Sequence, residues 1–144
     1  MLTINSALRW WSKNRSDVVA LSLGGDELTY GAWLPWIDRV AARLEQLGVR
    51  PGDRINACAA NSLEYCTLAM AAMRAGVIIA PLNIRFTAHE LAEIVEDHGS
   101  RLIFCDEAQH DKFTQLGVAV HAMAEVAALR DGSVAFPAHD PDPD

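Results

Sequence analysis

The chain has 144 residues, a length typical of one domain, and 51% of them are hydrophobic, which excludes a disordered chain and allows a buried core. Its 12 basic and 19 acidic side chains give a formal net charge of −7, which argues against a nucleic-acid binder because such proteins need a basic surface. The most apolar stretch, residues 68–82, is interrupted by Arg74 and is shorter than the ~20 residues of a membrane-spanning helix.

The N-terminus and the cysteines favour a cytoplasmic protein. The first residues lack a basic start followed by an apolar run, so we expect no secretory signal peptide. The three cysteines, Cys58, Cys66 and Cys105, are odd in number and form no CxxC pair. This spacing favours neither a disulfide framework nor a zinc site, and a reducing cytoplasm is the expected location.

Local patterns at the start of the chain predict a helix and then a β-hairpin. Asn5 or Ser6 can cap a helix over residues 7–14. Residues 18–23 form a β-branched, apolar run, and a Gly-Gly-Asp turn separates it from residues 27–30. Two such runs around a glycine-rich turn are typical of antiparallel strands.

A long amphipathic helix is expected next. From residue 31 to residue 47 apolar side chains recur at steps of four and three, which places them on one helical face. Pro35 lies too deep for a first-turn position if Thr29 caps the helix, so we expect a kink or a late start there. The four tryptophans, Trp10, Trp11, Trp33 and Trp36, are interpreted as packing residues.

Short apolar runs then alternate with helical segments. Three runs predict strands: residues 54–60, 77–80 and 101–105. Two segments between them predict helices that end at Ala75 and His98. The strands are apolar without alternation, which is typical of a parallel sheet covered by helices on both faces. The expected fold class is therefore α/β, with the hairpin as an N-terminal addition.

Polar residues mark where these two helices begin. Asn61-Ser62-Leu63-Glu64 resembles a capping box in which Asn61 replaces the usual Ser or Thr. Thr87-Ala88-His89-Glu90 is a regular capping box, and Gly99 is expected to end the helix that it opens.

The last part of the chain predicts three more short elements and a terminal segment. Residues 108–116 predict a helix, residues 118–121 a strand and residues 123–130 a short helix. We expect residues 1–130 to form one unit. Residues 131–144 are rich in proline and aspartate and are interpreted as a linker or terminus.

Most sequence motifs of enzymatic chemistry are absent from the sequence. It contains no dinucleotide-binding glycine motif, no Walker loop and no Gly-x-Ser-x-Gly elbow. Glu93 stands where a zinc-binding helix that starts at His89 would need its second histidine, so a surface charge patch is the favoured interpretation. Cys105 ends a parallel strand, a frequent place for functional groups, but a buried and inert thiol is the favoured interpretation. Each histidine is expected at the surface: His89, His98, His110, His121 and His139.

Four pieces of sequence, in one order, carry a resemblance to a known family. They are Leu28-Thr29-Tyr30; Leu47-Gly48-Val49 with Pro51-Gly52-Asp53-Arg54; Asn61-Ser62-x-Glu64; and Ala75-Gly76 followed by Pro81-Leu82-Asn83-x-Arg85 and Glu90-Leu91. Their order and spacing resemble the N-terminal region of adenylate-forming enzymes. This superfamily includes the acyl- and aryl-CoA synthetases, adenylation domains and luciferases.

The resemblance implies the N-terminal subdomain of an acetyl-CoA-synthetase-like fold and an acid–CoA ligase as the parent enzyme. Such a ligase activates a fatty or aryl acid with ATP and Mg²⁺ to an acyl-adenylate and transfers the acyl group to coenzyme A. The family's phosphate loop, ribose-binding Asp and catalytic Lys come later in the sequence, and none is present here. We therefore expect an N-terminal fragment that has no catalytic residue and is inactive alone, with no cofactor of its own.

Arg85 is the one site residue that the resemblance assigns. In some CoA ligases similar to this chain, the arginine after the Pro-Leu-Asn stretch helps to hold the nucleotide phosphate of coenzyme A. A guanidinium suits this task because it stays charged and forks onto phosphate oxygens. The alternative is a structural arginine that caps carbonyl groups or pairs with a carboxylate.

Two other functions stay open. One is an adenylation domain of a peptide synthetase. The other is a self-standing, non-catalytic α/β module that binds a partner, and a lone chain of this kind could expose apolar surface and self-associate. Reading the gene past Asp144 separates the ligase from the module. A Ser/Thr/Gly-rich loop within a few tens of residues indicates the ligase, and a stop codon favours the module.

Overall fold

The computed structural model describes residues 3–132. In chain order its elements are α1 (Ile4–Asn14), β1 (Val19–Leu23), β2 (Asp26–Thr29), α2 (Tyr30–Gln46), β3 (Arg54–Cys58), α3 (Leu63–Arg74), β4 (Ile78–Pro81), α4 (Ala88–His98), β5 (Leu102–Cys105), a 3₁₀-helix (Glu107–Phe113), β6 (Ala119–Ala122) and α5 (Met123–Ala128). Each predicted strand and helix has a counterpart, although the segment predicted as a helix from residue 108 is a shorter 3₁₀-helix.

The N-terminal caps are correct for α4 and wrong for α1. The Thr87 hydroxyl of α4 accepts from the Glu90 amide at 3.3 Å, and the Glu90 carboxylate accepts from the Thr87 amide at 2.8 Å, which confirms the capping box. Helix α1 instead starts earlier than predicted, because Thr3 forms a capping box with Ser6. Asn5, one of the two predicted caps, is thus inside the first turn and buried.

One predicted helix cap is wrong, and one of the two alternatives given for Pro35 does not occur. Helix α2 begins directly after its cap Thr29 and continues across Pro35, so there is no late start, and a kink at Pro35 stays a prediction. The proline removes one backbone donor near the start of a long helix, and the buried face that follows stabilises the remaining turns. Helix α3 is capped by Ser62, whose hydroxyl accepts from the Tyr65 amide at 3.0 Å, and Asn61 lies outside it.

The four later strands form one parallel sheet in the order β4-β3-β5-β6, and β1 pairs with β2 as a separate antiparallel hairpin. This confirms the predicted α/β class. Side chains alternate between the two faces of the central strands. Ile55 and Phe104 belong to one apolar cluster, whereas Cys58 and Ile103 belong to another.

Helices cover both faces of this sheet. The first cluster includes buried side chains of α2, α3 and α5, such as Trp36, Leu68 and Val126. The second includes Leu91 of α4 and Phe113 of the 3₁₀-helix. Non-alternating apolar strands therefore follow from burial on both sides, as the sequence predicts.

Contacts from α2 and the hairpin hold the C-terminal end of α5. The Trp36 indole donates to the Val126 carbonyl at 2.8 Å, and Arg39 donates to the Leu129 carbonyl at 2.6 Å. Arg130 forms an ion pair with Asp26 of the hairpin, with bonds of 2.7 and 3.0 Å. Beyond Gly132, the predicted linker lies outside the described residues, so the division of the chain at residue 130 stays a prediction.

Several large apolar side chains lie at the surface. Trp10 is 53% exposed and packs edge-to-face on Trp11 at 5.4 Å, so it packs at the surface and not in the core. Trp11 is partly exposed and stacks on Tyr30 at 5.1 Å. The other exposed large apolar residues are Ile4, Val19, Leu23, Met73, Ile78 and Ile84. Self-association through such side chains stays a prediction. Within residues 3–132 no helix is long and apolar enough to cross a membrane.

Candidate binding site

The sheet contains a switch point between its two central strands. After β3 the chain enters α3 on one face, and after β5 it enters the 3₁₀-helix on the other face. The two connections therefore leave neighbouring strands in opposite directions and open a crevice beyond the carboxyl ends of β3 and β5. Open α/β sheets bind their ligands at such a crevice.

Two adjoining clefts lie at this carboxyl edge. The larger has a volume of about 580 Å³, and the smaller about 260 Å³. The larger is lined by Cys105, Asp106, Glu107, His110, Asp111, Ala122, Met123 and Ala124. The smaller shares Asp106, Met123 and Ala124 with it and extends along the start of α3. The polar lining of the larger cleft is mainly acidic, which does not suit a phosphate group.

Asp106 connects the two strand ends that form the crevice. One carboxylate oxygen accepts from the Ala60 amide after β3 at 2.9 Å, and the other accepts from the Gln109 amide at 3.2 Å as the cap of the 3₁₀-helix. Both oxygens are thus engaged, and the side chain forms a wall of the clefts. Asp106 was not predicted as a site residue, although an aspartate directly after an apolar strand is a usable signal.

The two thiols at this edge are poor nucleophiles. Cys58 and Cys105 are opposite each other in the register of β3 and β5, and both are buried. Burial raises the pKa of Cys58, and it raises the pKa of Cys105 to about 11. The buried placement of Cys105 is therefore confirmed, and its raised pKa agrees with the interpretation as an inert thiol.

No described residues form a metal centre. His89 and Glu93 lie 3.6 Å apart as an exposed pair on α4, which agrees with a surface charge patch. Within residues 3–132 no group of three or more His, Cys, Asp or Glu side chains could hold a metal ion.

The surface placement of the histidines is wrong for two of them. His98 is half-buried at the end of α4, where its Nδ1 lies 2.9 Å from the Asn56 amide nitrogen. His121 is 18% exposed, and its Nδ1 lies 3.2 Å from both oxygens of Glu125. Each is held by a partner on another element, His98 by Asn56 of β3 and His121 by Glu125 of α5. His139 lies outside the described residues.

Arg85 lies on the loop that follows β4, on the same carboxyl edge but outside the lining of the two clefts. Its backbone is ordered by the Asn83 side chain, which accepts from the Arg85 amide at 2.9 Å. The Lys112 ammonium donates to the carbonyl of the preceding residue, Ile84, at 2.7 Å. The Arg85 side chain is exposed and makes no hydrogen bond or ion pair with any residue in 3–132.

Residues 8–142 match the sequence model of a family described as AMP-binding enzyme. The chain belongs to the AMP-binding enzyme family. The match covers all of the residues that carry the resemblance to adenylate-forming enzymes, and the resemblance is confirmed.

The chain is similar to ligases and to synthetases. It is 29% identical over 105 residues to the fatty acid–[acyl-carrier-protein] ligase ScoC of Streptomyces coeruleorubidus. This match covers 73% of the chain and 20% of ScoC. It is 34% identical over 76 residues to the long-chain-fatty-acid–CoA ligase FadD13 of Mycobacterium tuberculosis, covering 53% of this chain and 15% of FadD13. A match of 30% over 120 residues to the hybrid PKS-NRPS synthetase thnA of Trichoderma harzianum covers 83% of this chain and 3% of thnA.

Solved structures agree with the fold of this chain. Apo MatB from Rhodopseudomonas palustris matches with a TM-score of 0.76 and 27% identity over 90% of this chain and 28% of MatB. VinN matches with a TM-score of 0.82 and 25% identity over 94% of this chain and 39% of VinN. The chain therefore spans well under half the length of these relatives.

Proposed function

We propose that this chain is the N-terminal part of an acid–CoA ligase that activates a fatty or aryl carboxylic acid with ATP. The observation that carries the proposal is Arg85, an exposed guanidinium without a partner in residues 3–132, held on an ordered loop at the carboxyl edge of the sheet. Its place in the Pro-Leu-Asn-x-Arg segment and the 34% identity to the CoA ligase FadD13 support coenzyme A as the acceptor.

The proposed reaction joins the carboxylate to the AMP part of ATP with release of pyrophosphate, and then moves the acyl group to a thiol. The contribution of this chain is to bind and position. Arg85 is the residue that fits a phosphate group of coenzyme A, since its donors are free and its charge is permanent. Residues 3–132 offer no ligand set for Mg²⁺, so we assign no metal step to them.

A second candidate function is adenylation for a carrier protein. The similarity to ScoC and to thnA supports it, because the first is named as a carrier-protein ligase and the second as a synthetase. The two functions share the adenylation step and differ in the acceptor thiol. Supplying coenzyme A or a phosphopantetheinylated carrier protein to the activated acid distinguishes them.

The 144-residue chain alone is expected to show no adenylation activity. The sequence contains neither the Thr/Ser/Gly-rich phosphate loop nor the later catalytic lysine of the family, so no group in it can stabilise the charge that develops on pyrophosphate. The assay is acid-dependent exchange of labelled pyrophosphate into ATP, with fatty and aryl acids. A protein that joins this chain to the family's later motifs is the positive control, and exchange by the 144-residue chain itself would contradict the expectation.

The change Arg85→Ala in a ligase that carries this chain is expected to raise the apparent KM for coenzyme A about tenfold or more. A hydrogen bond to a charged group contributes about 1.5 kcal/mol or more, and each 1.4 kcal/mol is a factor of ten. Pyrophosphate exchange should stay unchanged, because this step precedes coenzyme A.

Arg50→Ala is the matched control for Arg85→Ala. Arg50 is also exposed and has no side-chain partner in residues 3–132, but it precedes β3 and so lies at the opposite, amino edge of the sheet. It should leave the KM for coenzyme A unchanged. Equal loss of the exchange and transfer steps in Arg85→Ala would mean that Arg85 has a structural role.

A further inference from the structure

Positive charge and exposed apolar side chains are concentrated together at the start of the chain. The first 16 residues contain three basic side chains and no acidic one, whereas the other 9 basic and 19 acidic side chains give the rest of the chain a net charge of −10. Five of the eight exposed large apolar residues among residues 3–132 also lie in the first 23 positions: Ile4, Trp10, Trp11, Val19 and Leu23. Exposed apolar residues that are concentrated in this way indicate an interaction surface.

Helix α1 buries one side and presents Trp10 on the other. Asn5 and Leu8 are its buried residues. Trp10 follows Leu8 by two positions, which is about 200° around an α-helix, so it lies on the outward side. Lys13 is about one turn further along, and both side chains are exposed. The outward side of α1 therefore places an indole ring next to an ammonium group.

Local contacts hold this surface in one arrangement. The Trp10 and Trp11 rings pack edge-to-face at 5.4 Å, and Trp11 stacks on Tyr30 at the start of α2 at 5.1 Å. The Val18 amide donates to the Arg15 carbonyl at 3.1 Å, which keeps the start of β1 next to the end of α1. The exposed side chains are thus arranged before any ligand binds, which lowers the entropy cost of binding.

Two cations of this surface are available to an external anion. Lys13 and Arg15 are exposed, and their side chains make no hydrogen bond or ion pair with any residue in 3–132. Asp17, the first acidic residue of the sequence, pairs with neither of them. Other arginines of the chain instead bind its own carbonyl or carboxylate groups, namely Arg39, Arg43, Arg74 and Arg130.

We propose that the outward side of α1, with Trp10, Lys13 and Arg15, binds the surface of an anionic lipid bilayer. Tryptophan is enriched at the headgroup level of membranes because its ring is apolar and its N–H is polar. Basic side chains beside such a ring are attracted to anionic headgroups, and basic amphipathic helices lie in this interface.

The size of the surface favours a bilayer over a protein partner. An 11-residue helix is only about 16 Å long and 10 Å wide, whereas a stable protein–protein interface covers about 800 Å² of each partner. The acidic remainder of the chain does not prevent binding, because charges more than about 8 Å apart are largely screened at physiological ionic strength. Binding of this kind needs neither ATP nor coenzyme A, so its test is separate from that of the proposed function.

Co-sedimentation of the 144-residue chain with vesicles tests this surface. The vesicles contain phosphatidylcholine alone, or phosphatidylcholine and phosphatidylglycerol in equal parts. The anionic vesicles should bind about twentyfold more tightly than the neutral ones, since each cation near an anionic surface contributes about fivefold. Salt at about 1 M should remove the difference by screening. Equal binding to both vesicles, or no binding to the anionic ones, would overturn the proposal.

Variants identify the side chains that contact the lipid. The double change Lys13→Gln and Arg15→Gln should weaken binding to anionic vesicles about twentyfold. The matched control is Arg50→Gln with Arg101→Gln, which removes the same charge from two exposed arginines at the amino edge of the sheet and should leave binding unchanged. A folded Lys13→Gln and Arg15→Gln chain that binds like the native chain would refute the lipid contact.

The emission of Trp10 is a second readout. Anionic vesicles should shift the tryptophan emission of the native chain to shorter wavelength, and most of this shift should be absent in Trp10→Ala. The same change should weaken vesicle binding about tenfold, because about half of a large aromatic side chain no longer leaves water. An unaltered shift in Trp10→Ala would show that another tryptophan meets the lipid.

Two other occupants of this surface have different signatures. A second copy of the chain would give a concentration-dependent mass in sedimentation equilibrium without lipid, and Trp10→Ala would abolish it. An acidic protein segment would be mimicked by a soluble polyglutamate peptide, which would bind without vesicles and in a salt-dependent way. Either result in a chain that does not bind anionic vesicles would replace the lipid bilayer by that partner.

Discussion

The change Trp36→Ala is expected to lower the free energy of unfolding by about 3–5 kcal/mol, the range found for buried Trp or Phe to Ala changes. Trp36 is 0% exposed and is the largest fully buried side chain among residues 3–132. Removing it leaves a cavity in the cluster that joins α2 to the sheet and deprives the Val126 carbonyl of its donor. Because the total free energy of unfolding of a small domain is only about 5–15 kcal/mol, this loss is a large part of it.

Trp10→Ala is the matched control, since the same atoms are removed from a side chain that is 53% exposed. It should change the free energy of unfolding by no more than about 0.5 kcal/mol. Urea unfolding followed by far-UV circular dichroism measures both variants without using tryptophan emission. If Trp36→Ala does not fold, Trp36→Phe removes the indole donor and should cost about 1–3 kcal/mol. Similar losses at the two positions would contradict the buried placement of Trp36.

The change Asn56→Leu is expected to lower the free energy of unfolding by about 3 kcal/mol, although it replaces a polar side chain by an apolar one in a buried place. Asn56 is 0% exposed in the middle of β3. Its amide nitrogen donates to the Ala80 carbonyl at 3.0 Å and lies 2.9 Å from His98 Nδ1, and its oxygen accepts from the Ser100 hydroxyl. Leucine leaves all three partners without this bond.

The Asn56 contacts also determine the tautomer of His98. The Ala80 carbonyl can only accept, so the amide nitrogen of Asn56 must face it, and this fixes the orientation of the amide group. The second hydrogen of that nitrogen then points at His98 Nδ1, which must accept and carries no proton. ¹⁵N shifts of the neutral His98 ring should therefore report the Nε2–H tautomer.

Asn61→Leu is the control for Asn56→Leu. Asn61 is exposed after β3 and makes no side-chain hydrogen bond within residues 3–132, so leucine there should change the free energy of unfolding by about 0.5 kcal/mol or less. Urea unfolding at neutral pH measures both. An equally small effect at position 56 would show that the network does not form.

The sequence predicted those parts of the fold that depend on local patterns. The helical repeat that contains Ile37 and Val40 predicted α2, and apolar runs without alternation predicted a parallel sheet with both faces covered. The Thr87–Glu90 capping box was correct because both of its bonds lie within one turn of helix. At Asn61 and Ser62 two polar residues could cap α3, and the pattern selected Asn61 although Ser62 is the cap.

The candidate site was predicted only in part. Arg85 was found because it belongs to a family segment, and the structure adds that its side chain has no partner in residues 3–132. Asp106 and Lys112 were missed, because their roles depend on Ala60 and Ile84, which lie 46 and 28 positions away. No periodicity or spacing in the sequence reports a contact over such a distance.

By itself the sequence determined the α/β class, the family and the position of most elements, since these follow from side-chain periodicity, caps and short motifs along a continuous stretch of chain. Only the tertiary structure decided the strand order β4-β3-β5-β6, the switch point between β3 and β5, and the closeness of Lys112 to the Arg85 loop. These features arise when distant segments meet across the sheet. The physical reason is that burial of both sheet faces selects one arrangement of the whole chain, whereas each local pattern is compatible with several.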